Sequence, residues 1–435
     1  MVFKPFKLLF CTYKLLLLRL LYRLFVWVYP KAAWLLSFYN PKARLWIAGR
    51  KQQFRKLAMI FHTNQKPVVW MHCSSLGEFE QGKPILEKVK QQFPQYFILV
   101  SFFSPSGYEI RKNDPVADHV CYLPMDRPYN AVRFLNIVQP SLVFFVKYEF
   151  WHYYLDEIKQ RNIPLLLVSG VFRNDQPFFK WYGNFHRNML QKFSHLFLQN
   201  TFSADLLQQI EMKTDFSVAG DTRFDRVLQI AGRFEEIAPI TSFCGDHPVI
   251  VAGSTWTEDD EALDHFANTY ADIRFIIAPH DIDEDRLKEC EQLYERSIRY
   301  SVWAAQPEAG QNKNVLIMDN MGMLSKLYHY ATIAYIGGGF GDDGIHNALE
   351  AAVFYKPVVF GPVYDKYQEA IDLVDAGAGF SIEDALELEE QLKALLSDQT
   401  LLKESGTIGG NYVRDKAGAT KKILDYIHAK RLLTN

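Results

Sequence analysis

The stretch from residue 334 to residue 362 constrains the fold of this chain more than any other. It reads AYIGGGFGDDGIHNALEAAVFYKPVVFGP, which predicts a strand at 333–336, a glycine-rich turn, a helix from about His346 and a second strand at 357–360. Such units build open parallel sheets, which bind ligands beyond the carboxyl ends of their strands. The turn is expected to bring backbone amides close to a ligand, because glycine has no side chain. Its glycines are Gly337, Gly338, Gly339 and Gly341. We therefore predict a nucleotide or nucleotide-sugar site here.

The same turn contains a literal G-x-G-x-x-G, formed by Gly339, Gly341 and Gly344, and Asp365 follows about twenty residues later, as an NAD fingerprint requires. An NAD site is disfavoured, because a dinucleotide fold needs two mononucleotide halves around the fingerprint and fewer than a hundred residues follow Gly339. The polar residues within 346–350, which open the predicted helix, indicate ribose and base contacts instead.

The composition allows two domains and excludes several classes of protein. A chain of 435 residues with 49% hydrophobic content is long enough for two cores. Its formal net charge of −2 argues against a general nucleic-acid binder. The five cysteines are scattered without a C-x-x-C pair, so we expect reduced thiols and no zinc site. Two acidic pairs, Asp259–Asp260 and Asp342–Asp343, are expected to be solvated loop charges, and neither a metal nor a cofactor is predicted.

Residues 1–40 form a segment of their own, rich in Leu, Phe, Tyr and Trp, and the first acidic residue of the chain is Glu78. Within residues 1–38 the longest uncharged runs are only six or seven residues long, which is short for a spanning helix. We predict a helix that lies in the headgroup region of an anionic membrane, with its cations in one half of the helical wheel. The alternatives are a buried helix whose cations snorkel to water and a transmembrane anchor. The cations of that half are Lys4, Lys7, Lys14, Arg19 and Arg23.

From residue 41 onward, short apolar runs alternate with helical patterns in βα order. The alternation over residues 41–220 predicts one doubly wound domain, and its restart over residues 247–409 predicts a second. Residues 221–246 are predicted to link them, and residues 410–435 to form a basic amphipathic C-terminal helix. The predicted fold class is α/β, with two Rossmann-like domains that face a central cleft.

Short motifs recur in a fixed order along the two predicted domains. They are WMHCSSLGE (70–78), SPSG (104–107), YLPMD (122–126), YEFW (148–151), GDTRFD (220–225), AGST (252–255), APH (278–280) and DNMG (319–322). Together with the glycine-rich stretch, they resemble the 3-deoxy-D-manno-octulosonic acid (Kdo) transferases of Gram-negative lipopolysaccharide biosynthesis. The resemblance runs from about residue 30 to the C-terminus. Each motif alone is weakly specific, but their order across both domains is specific.

The resemblance implies a GT-B fold, in which an N-terminal acceptor domain and a C-terminal donor domain face one cleft. It implies a lipid A-specific glycosyltransferase that moves Kdo from CMP-Kdo to the lipid A precursor lipid IVA with inversion at the anomeric carbon. It also implies attachment to the cytoplasmic side of the cell inner membrane, in agreement with the basic N-terminal segment. The expected partners are therefore CMP-Kdo, the lipid A precursor and an anionic membrane surface, but no nucleic acid.

Two carboxylates are implied to be catalytic. By the resemblance, Glu78 is the general base that takes the proton of the acceptor hydroxyl. The residues alone also allow Glu78 only a stabilising role at a helix N-terminus. Glu149 follows a predicted strand and is implied to orient a substrate or to stabilise the positive charge that develops on the sugar. Its alternative is an ion pair with Lys147 or Arg173.

The remaining candidates bind the donor. Arg223 is implied to stabilise the phosphate of departing CMP through its guanidinium, and its alternative is an ion pair with Asp221 or Asp225. The amides at residues 321–323 are expected to hold that phosphate without a metal. The resemblance places the CMP site at Pro279, His280, Met321, Gly322, Met323, Asn347, Ala348, Leu349 and Glu350.

Two other functions stay open from the sequence. One is another GT-B enzyme that uses a UDP-sugar, either an epimerase or a lipid-linked sugar transferase. The other is a non-catalytic, membrane-bound scaffold that retains a nucleotide fold. Preference for CMP over UDP separates the first alternative from a Kdo transferase, and detection of a Kdo-lipid product excludes the second.

Overall fold

The computed structural model describes residues 4–310 and 312–434, with side chains from Leu17 onward apart from Ala309. Contacts between residues divide the chain into two compact units. The first comprises residues 1–226 together with residues 418–435, and the second comprises residues 227–417. The C-terminal end of the chain therefore belongs to the first unit.

The first unit is built on a parallel sheet of seven strands. They are β1 (Val68–Cys73), β2 (Phe97–Phe102), β3 (His119–Tyr122), β4 (Pro140–Val146), β5 (Leu165–Gly170), β6 (His195–Leu198) and β7 (Phe216–Val218). Their order is β3-β2-β1-β4-β5-β6-β7, so the chain winds outward to β3, returns beside β1 and winds outward again. The reversal between β1 and β4 is a topological switch point, where parallel sheets bind ligands.

Helices cover both faces of this sheet, as a parallel sheet requires. They are α1 (Lys4–Leu36), α2 (Pro41–Gly49), α3 (Gln53–Thr63), α4 (Leu76–Gln92), α5 (Pro105–Arg111), α6 (Pro128–Val138), α7 (His152–Gln160), α8 (Asn184–Leu190), α9 (Thr201–Gln209), α10 (Thr222–Gly232, which contains the division between the units) and α20 (Ala419–Ala429), with a 3₁₀ turn at Pro177–Phe179.

Alternate residues of the central strand supply two cores. Trp70 packs into a cluster on one face of the sheet, whereas Met71 packs into a cluster on the other face together with Ile423 and Ile427 of α20. This alternation is the period-two pattern of a strand that is buried on both sides. The C-terminal helix is therefore part of the core of the first unit.

The predicted C-terminal helix at 410–435 is in fact two helices. The first of them ends at Lys416, and α20 begins after Gly418, whose φ of +112° interrupts the helix. Asp225 caps α20 by accepting the backbone N–H groups of Gly418 (2.8 Å) and Thr420 (2.9 Å). The sequence did not reveal this break because the apolar pattern continues across it.

The second unit has its own parallel sheet of seven strands. They are β8 (Val249–Thr255), β9 (Arg274–Pro279), β10 (Ser297–Arg299), β11 (Val315–Ile317), β12 (Ile333–Ile336), β13 (Val358–Phe360) and β14 (Gly379–Ser381), in the order β10-β11-β9-β8-β12-β13-β14. The edge strands β10 and β14 were not predicted, because three residues without an apolar run give no strand signal. The switch point of this sheet lies between β8 and β12. The predicted α/β fold with two parallel sheets is confirmed.

The helices of the second unit include several single turns. They are α11 (Ala238–Cys244), α12 (Thr257–Thr269), α13 (Glu284–Leu293), α14 (Tyr300–Ala305), α15 (Leu324–Leu327), α16 (Leu349–Ala352), α17 (Gln368–Asp375), α18 (Ala385–Ser397) and α19 (Gln399–Lys416), with 3₁₀ turns at Pro307–Gly310 and Tyr328–Tyr330. The helix predicted from about His346 begins only at Leu349 and is one turn long. The predicted linker, residues 221–246, contains all of α10 and all of α11.

Two glycines of the turn after β12 have a packing role that the sequence did not suggest. A Cβ on Gly337 would lie 2.4 Å from the carbonyl oxygen of Ser254, and a Cβ on Gly339 would lie 2.5 Å from the backbone nitrogen of Gly361. Both glycines therefore allow neighbouring backbone segments of the unit to touch. A Cβ on Gly341 would lie 3.6 Å from the carbonyl oxygen of Gly338, an ordinary van der Waals contact, and Gly341 is exposed.

The N-terminal helix α1 packs on the first unit along one stripe. Val26 is buried against Trp46 and Met125, and the hydroxyl of Tyr22 donates to Asp126. Within residues 4–310 and 312–434, no helix combines the length and the apolar content that crossing a bilayer requires. The side chains of Lys4, Lys7 and Lys14 lie outside the described ones. Large apolar side chains of α1 are exposed, namely Leu17, Leu20, Leu21, Leu24, Phe25, Trp27, Val28, Trp34, Leu35 and Leu36.

We expect Gly339→Ala to destabilise the second unit by about 1–3 kcal/mol, because its new Cβ would meet backbone that cannot move aside. Gly341→Ala is the matched control: the nearest atom to its Cβ would lie 3.6 Å away, and the substitution is expected to be neutral. Thermal unfolding followed by circular dichroism measures both. Equal melting temperatures for the two variants would contradict the packing role of Gly339.

Candidate active site

In the first unit, the two predicted catalytic carboxylates follow neighbouring strands of the sheet. Glu78 lies in the first turn of α4, which follows β1, and Glu149 lies between β4 and α7. The two strands pair in parallel, with His72 opposite Phe145, so both loops leave the same edge of the sheet. The switch point thus brings Glu78 and Glu149 to one region.

Glu149 is held by a buried network of side chains. Its Oε2 lies 3.0 Å from Nε2 of His72 and 2.5 Å from Nε1 of Trp151. His72 is fully buried, and its Nδ1 lies 2.9 Å from Oγ of Ser101. Burial by itself raises the pKa of Glu149. Hydrogen bonds from His72, Trp151 and Ser74 lower this pKa by more than burial raises it, so the net pKa lies below its ordinary value. The side chain of Glu149 is therefore ionised at neutral pH and is held in one position by its hydrogen bonds.

This network was not predicted from the sequence. A histidine in an apolar strand carries no signal of its partner, and His72 finds Glu149 only because β1 and β4 are neighbours. Of the two ion pairs that the sequence left open for Glu149, Arg173 lies instead 3.7 Å from Asp175 (Nε to Oδ1). His72 and Trp151 thus position the Glu149 carboxylate together.

Glu78 closes a capping box at the start of α4. Its Oε2 accepts the backbone N–H of Ser75 at 2.7 Å and also the hydroxyl of Ser75. Both contacts involve Oε2, and among the described residues Oε1 has no hydrogen-bond partner. The side chain is half-buried. One oxygen therefore fixes the carboxylate, while the other can accept a proton.

Arg223 lies in the first turn of α10 and is bound to Asp221. Its backbone N–H donates to Oδ1 of Asp221 at 2.8 Å, and its Nε donates to Oδ2 at 2.7 Å. This is one of the two ion pairs that the sequence left open, whereas Asp225, the other candidate partner, caps α20. The pair with Asp221 fixes the guanidinium at the start of the helix.

The second unit contains a cavity of ≈ 210 Å³ at the carboxyl edge of its sheet. Its lining comes from the ends of three strands: Ser254 from β8, residues 279–280 from β9, and residues 321–323 after β11. Gly322 has a φ of +90°, a conformation that glycine adopts without strain. Five of the predicted nucleotide-binding residues therefore share one cavity: Pro279, His280, Met321, Gly322 and Met323.

Three rings line up at this cavity. Trp256 and His280 are stacked, with centroids 4.5 Å apart and 20° between the ring planes, and the centroid of His346 lies 4.8 Å from that of His280. Burial, followed by the neighbouring His280, lowers the pKa of His346 to about 4, so this imidazole is neutral at pH 7. The sequence missed Trp256 as a site residue, because its ring meets that of His280 only in the folded sheet. His346 belongs to the polar run 346–350, for which ribose and base contacts were expected, and it lines this cavity.

The run 347–350, which the resemblance implies to contact CMP, is partly packed into the second unit. Of the described residues that line the cavity, none belongs to this run. Ala348 and Leu349 are fully buried. Asn347 donates its side-chain N–H to Oε1 of Glu350 at 3.1 Å, and its Oδ1 accepts the N–H of Leu349 at 3.3 Å. Asn347 therefore caps α16 and orients Glu350.

The prediction that Asp259 is a solvated charge is wrong. Asp259 is buried, and its Oδ2 accepts the backbone N–H groups of Gly338 (2.8 Å) and Trp256 (2.9 Å). Its Oδ1 accepts the hydroxyl of Tyr335 at 2.8 Å. One carboxylate thus joins the glycine turn after β12 to the loop after β8.

Asp260 is also buried, which corrects the prediction for this pair. It forms an ion pair with Arg286 and accepts the hydroxyl of Tyr294 at 2.9 Å. Burial raises the pKa of Asp260 to about 6, against the opposing effect of Arg286. Asp342 and Asp343 are exposed, as predicted. In the part of the chain that the structure describes, no group of three or more His, Cys, Asp or Glu residues could hold a metal ion.

Solved structures of low sequence identity share this fold. The UDP-GlcNAc 2-epimerase from Neisseria meningitidis, bound to UDP-GlcNAc, matches with a TM-score of 0.58 and 15% identity over 83% of this chain and all of that protein (100%). A glycosyltransferase from Rickettsia africae matches with a TM-score of 0.53 and 15% identity over 86% of this chain and 100% of that protein. These similarities confirm the predicted GT-B fold class.

The chain is similar in sequence to proteins of known function. A family model described as 3-deoxy-D-manno-octulosonic-acid transferase (kdotransferase) matches residues 49–226. The 3-deoxy-D-manno-octulosonic acid transferase of Aquifex aeolicus is 26% identical over 80% of this chain and 93% of its own length. That of Haemophilus influenzae is 24% identical over 82% and 86%. The chain spans about half (52%) of a bifunctional glycosyltransferase/methyltransferase from Fusobacterium nucleatum, which is 28% identical over 75% of this chain. The resemblance that the motifs indicated is confirmed.

The contacts of Glu149 predict a pH dependence of stability. Because its pKa is lower in the folded chain than the ordinary value of 4.5, its charged form stabilises the fold above pH 4.5 and loses this effect as the pH falls through the folded-state value. We expect Glu149→Gln to be less stable than the wild type at pH 7 and the gap to shrink towards pH 4.

Urea unfolding at pH 7, 5 and 4 measures this difference. Asp205→Asn, a change at an exposed side chain of the same unit, is the control and should show little difference from the wild type at any of these pH values. A gap between Glu149→Gln and the wild type that stays constant or widens on acidification would contradict the proposed contacts.

Proposed function

We propose that this chain, a glycosyltransferase that its relatives identify as similar to the Kdo transferases, transfers Kdo from CMP-Kdo to the lipid A precursor lipid IVA with inversion at the anomeric carbon. The observation that carries the proposal is the shared cavity of the second unit, in which five residues expected to bind CMP meet at one sheet edge. The Kdo transferase names of several relatives support the choice of sugar and donor.

Glu78 is the proposed base. Its Oε1 accepts the proton of the acceptor hydroxyl as the hydroxyl oxygen bonds to the anomeric carbon. The bond between that carbon and the phosphate oxygen of CMP breaks, and its electron pair leaves with CMP. The capping contacts to Ser75 hold the carboxylate in one rotamer, which favours a fixed direction of attack.

Glu149 and Arg223 have supporting roles in the proposal. The carboxylate of Glu149, fixed by His72 and Trp151, stabilises the positive charge that develops on the sugar ring. Arg223, held by Asp221, stabilises the phosphate charge that grows as CMP departs. In the second unit, the backbone at Met321–Met323 binds the phosphate, and the stacked rings of Trp256 and His280 bind the base or the ribose.

The proposed place of action is the cytoplasmic side of the cell inner membrane. The outward row of Leu, Phe and Trp on α1 supports an interfacial position. Arg19, Arg23 and Lys31 are exposed on the same helix, and they would contact anionic headgroups. Such a position would keep the first unit next to its lipid acceptor.

We expect Glu78→Gln to lower the rate of Kdo transfer by about 10²–10⁴-fold, since the amide cannot take a proton. Glutamine still accepts the N–H of Ser75, as in other capping boxes, so the fold and CMP affinity should be unchanged. Mass spectrometry of lipid IVA incubated with a CMP-Kdo generating system measures the product. Glu211→Gln, at an exposed position, is the control, and full activity of Glu78→Gln would remove this residue as the base.

We expect Trp256→Ala and His280→Ala each to weaken CMP binding by about 1–3 kcal/mol, the range found for stacking of a base on an aromatic ring. Leu386→Ala removes an exposed side chain elsewhere in the second unit and serves as the control. Isothermal titration of the full chain with CMP and with UDP measures the affinities. Tighter binding of UDP by the wild type would overturn the donor assignment and favour a UDP-sugar enzyme.

A further inference from the structure

The first unit contains a cavity apart from the loops of Glu78 and Glu149. It has a volume of ≈ 290 Å³ and lies among Pro30 of α1, Trp46 of α2, the start of α3, and the chain around Met125. No acidic side chain occurs among the described residues that line it. The reactions discussed above do not use any of its lining residues.

Two polar groups at this cavity have no partner. Gln53 is only 6% exposed, and neither its amide oxygen nor its amide nitrogen forms a hydrogen bond. The indole N–H of Trp46, also 6% exposed, is likewise unpaired. Unpaired polar groups at this depth are uncommon in folded proteins because they lose their hydrogen bonds with water. A polar ligand in the cavity would supply the missing partner.

The charges around the cavity are all positive. Arg50, Lys51 and Arg127 line it, and within the described chain no ion pair joins any of them to a carboxylate. The guanidinium of Arg50 donates only to backbone carbonyls, one of them that of Phe103 at 2.8 Å, so its terminal nitrogens each keep a second N–H. Burial lowers the pKa of Arg50 to about 9. The positive charge of these side chains therefore lacks a counter-ion, and an anionic ligand would supply one.

The start of α3 adds to this preference. The helix is 11 residues long, begins at Gln53, and has no side-chain cap, because its N-cap residue Gln52 makes no capping hydrogen bond. The unpaired amides and the positive dipole end of a helix attract phosphate. Here they coincide with the unpaired Gln53 side chain and the three cations.

The surroundings indicate that the phosphate is attached to a lipid. Trp46 also lines a second cavity of ≈ 310 Å³, with Tyr29, Ala33 and Leu36 among its other walls. The last turns of α1 beside it expose further apolar side chains, including Trp34. A free phosphate would leave this second cavity empty, whereas an acyl chain would bury its apolar walls.

We propose that this cavity is a binding site for a lipid-borne phosphate, with Gln53, Arg50, Lys51 and the first amides of α3 as its ligands. Two lipids carry this chemistry: the phosphorylated acceptor and an anionic phospholipid of the bilayer. The assignment to the acceptor rests on the proposed function, whereas the phosphate site itself does not.

The test is isothermal titration of the full chain in dodecyl maltoside micelles. The probes are lipid IVA, lipid IVA from which both phosphates have been removed, and dioctanoyl phosphatidylglycerol. We expect the wild type to bind lipid IVA at least about tenfold more tightly than its dephosphorylated form, given the strength of hydrogen bonds to charged groups. Equal binding of these two probes would overturn the proposal.

Two variants probe the site without removing a structural contact. Gln53→Leu and Lys51→Ser are each expected to weaken binding of the phosphorylated probe severalfold. Lys56→Ser, the same charge change at an exposed position of α3 outside the cavity, should bind like the wild type. The melting temperature of Gln53→Leu should be unchanged or raised, because an apolar group replaces an unpaired buried amide. An unchanged or raised melting temperature would show that loss of binding by Gln53→Leu is not caused by misfolding. If Gln53→Leu and Lys51→Ser both bind the phosphorylated probe as tightly as Lys56→Ser does, the proposed site is contradicted.

The probes also identify the source of the phosphate. If the Gln53→Leu and Lys51→Ser variants bind only lipid IVA more weakly than the wild type does, the site belongs to the acceptor. If they also bind phosphatidylglycerol more weakly, the site belongs to lipids of the bilayer. Kdo transfer measured on the same preparations at saturating acceptor separates the two proposals. A chain that binds phosphorylated lipid but transfers nothing contradicts the proposed function alone, and a chain that transfers Kdo but ignores the phosphates contradicts the phosphate site alone.

Discussion

Parallel alignment of the strands is the constraint on which both units depend. Since all strands of a sheet run the same way, every loop that follows a strand leaves at one edge, and the widest gap opens where the winding reverses. In the first unit this gap lies between β1 and β4 and receives Glu78 and Glu149. In the second it lies between β8 and β12, beside the cavity lined by His280 and Met321. Residues far apart in the chain become neighbours through this topology alone.

Buried carboxylates hold these loops in place. Asp259 accepts two backbone N–H groups and a tyrosine hydroxyl, and it thereby connects the loop after β8 with the glycine turn. Asp126 does the same in the first unit, where it accepts the N–H groups of Tyr153 and Tyr154 and the hydroxyl of Tyr22. Several donors offset part of the cost of burying a carboxylate, and the carboxylate fixes a loop from several directions. Rigid loops of this kind suit an enzyme whose chemistry needs a base in one orientation.

Local features of this fold were predictable from the sequence, whereas contacts between distant segments were not. The order of strands along the chain, the two sheets and the motifs at their edges could be read from the sequence, because apolar runs and glycine turns are local signals. The hydrogen-bond and packing partners of individual residues could not be predicted from the sequence. His72 resembles any histidine in an apolar strand until β4 places Glu149 beside it, and Gln53 resembles a surface residue until the folded unit buries it. The turn glycines show the same limit, since Gly339 is needed for contact with Gly361, which no local pattern reveals.

The sequence by itself determined that this chain forms two parallel α/β sheets and resembles the Kdo transferases, because strand signals and motif order are properties of the linear chain. Only the tertiary structure decided that Asp259 is buried and connects two loops by hydrogen bonds. It alone placed the rings of Trp256, His280 and His346 side by side, and it alone brought cations together around Gln53 without a counter-charge. The physical reason is that burial and hydrogen-bond partners depend on which segments the sheet makes neighbours, and the free energy of a polar group depends on those partners.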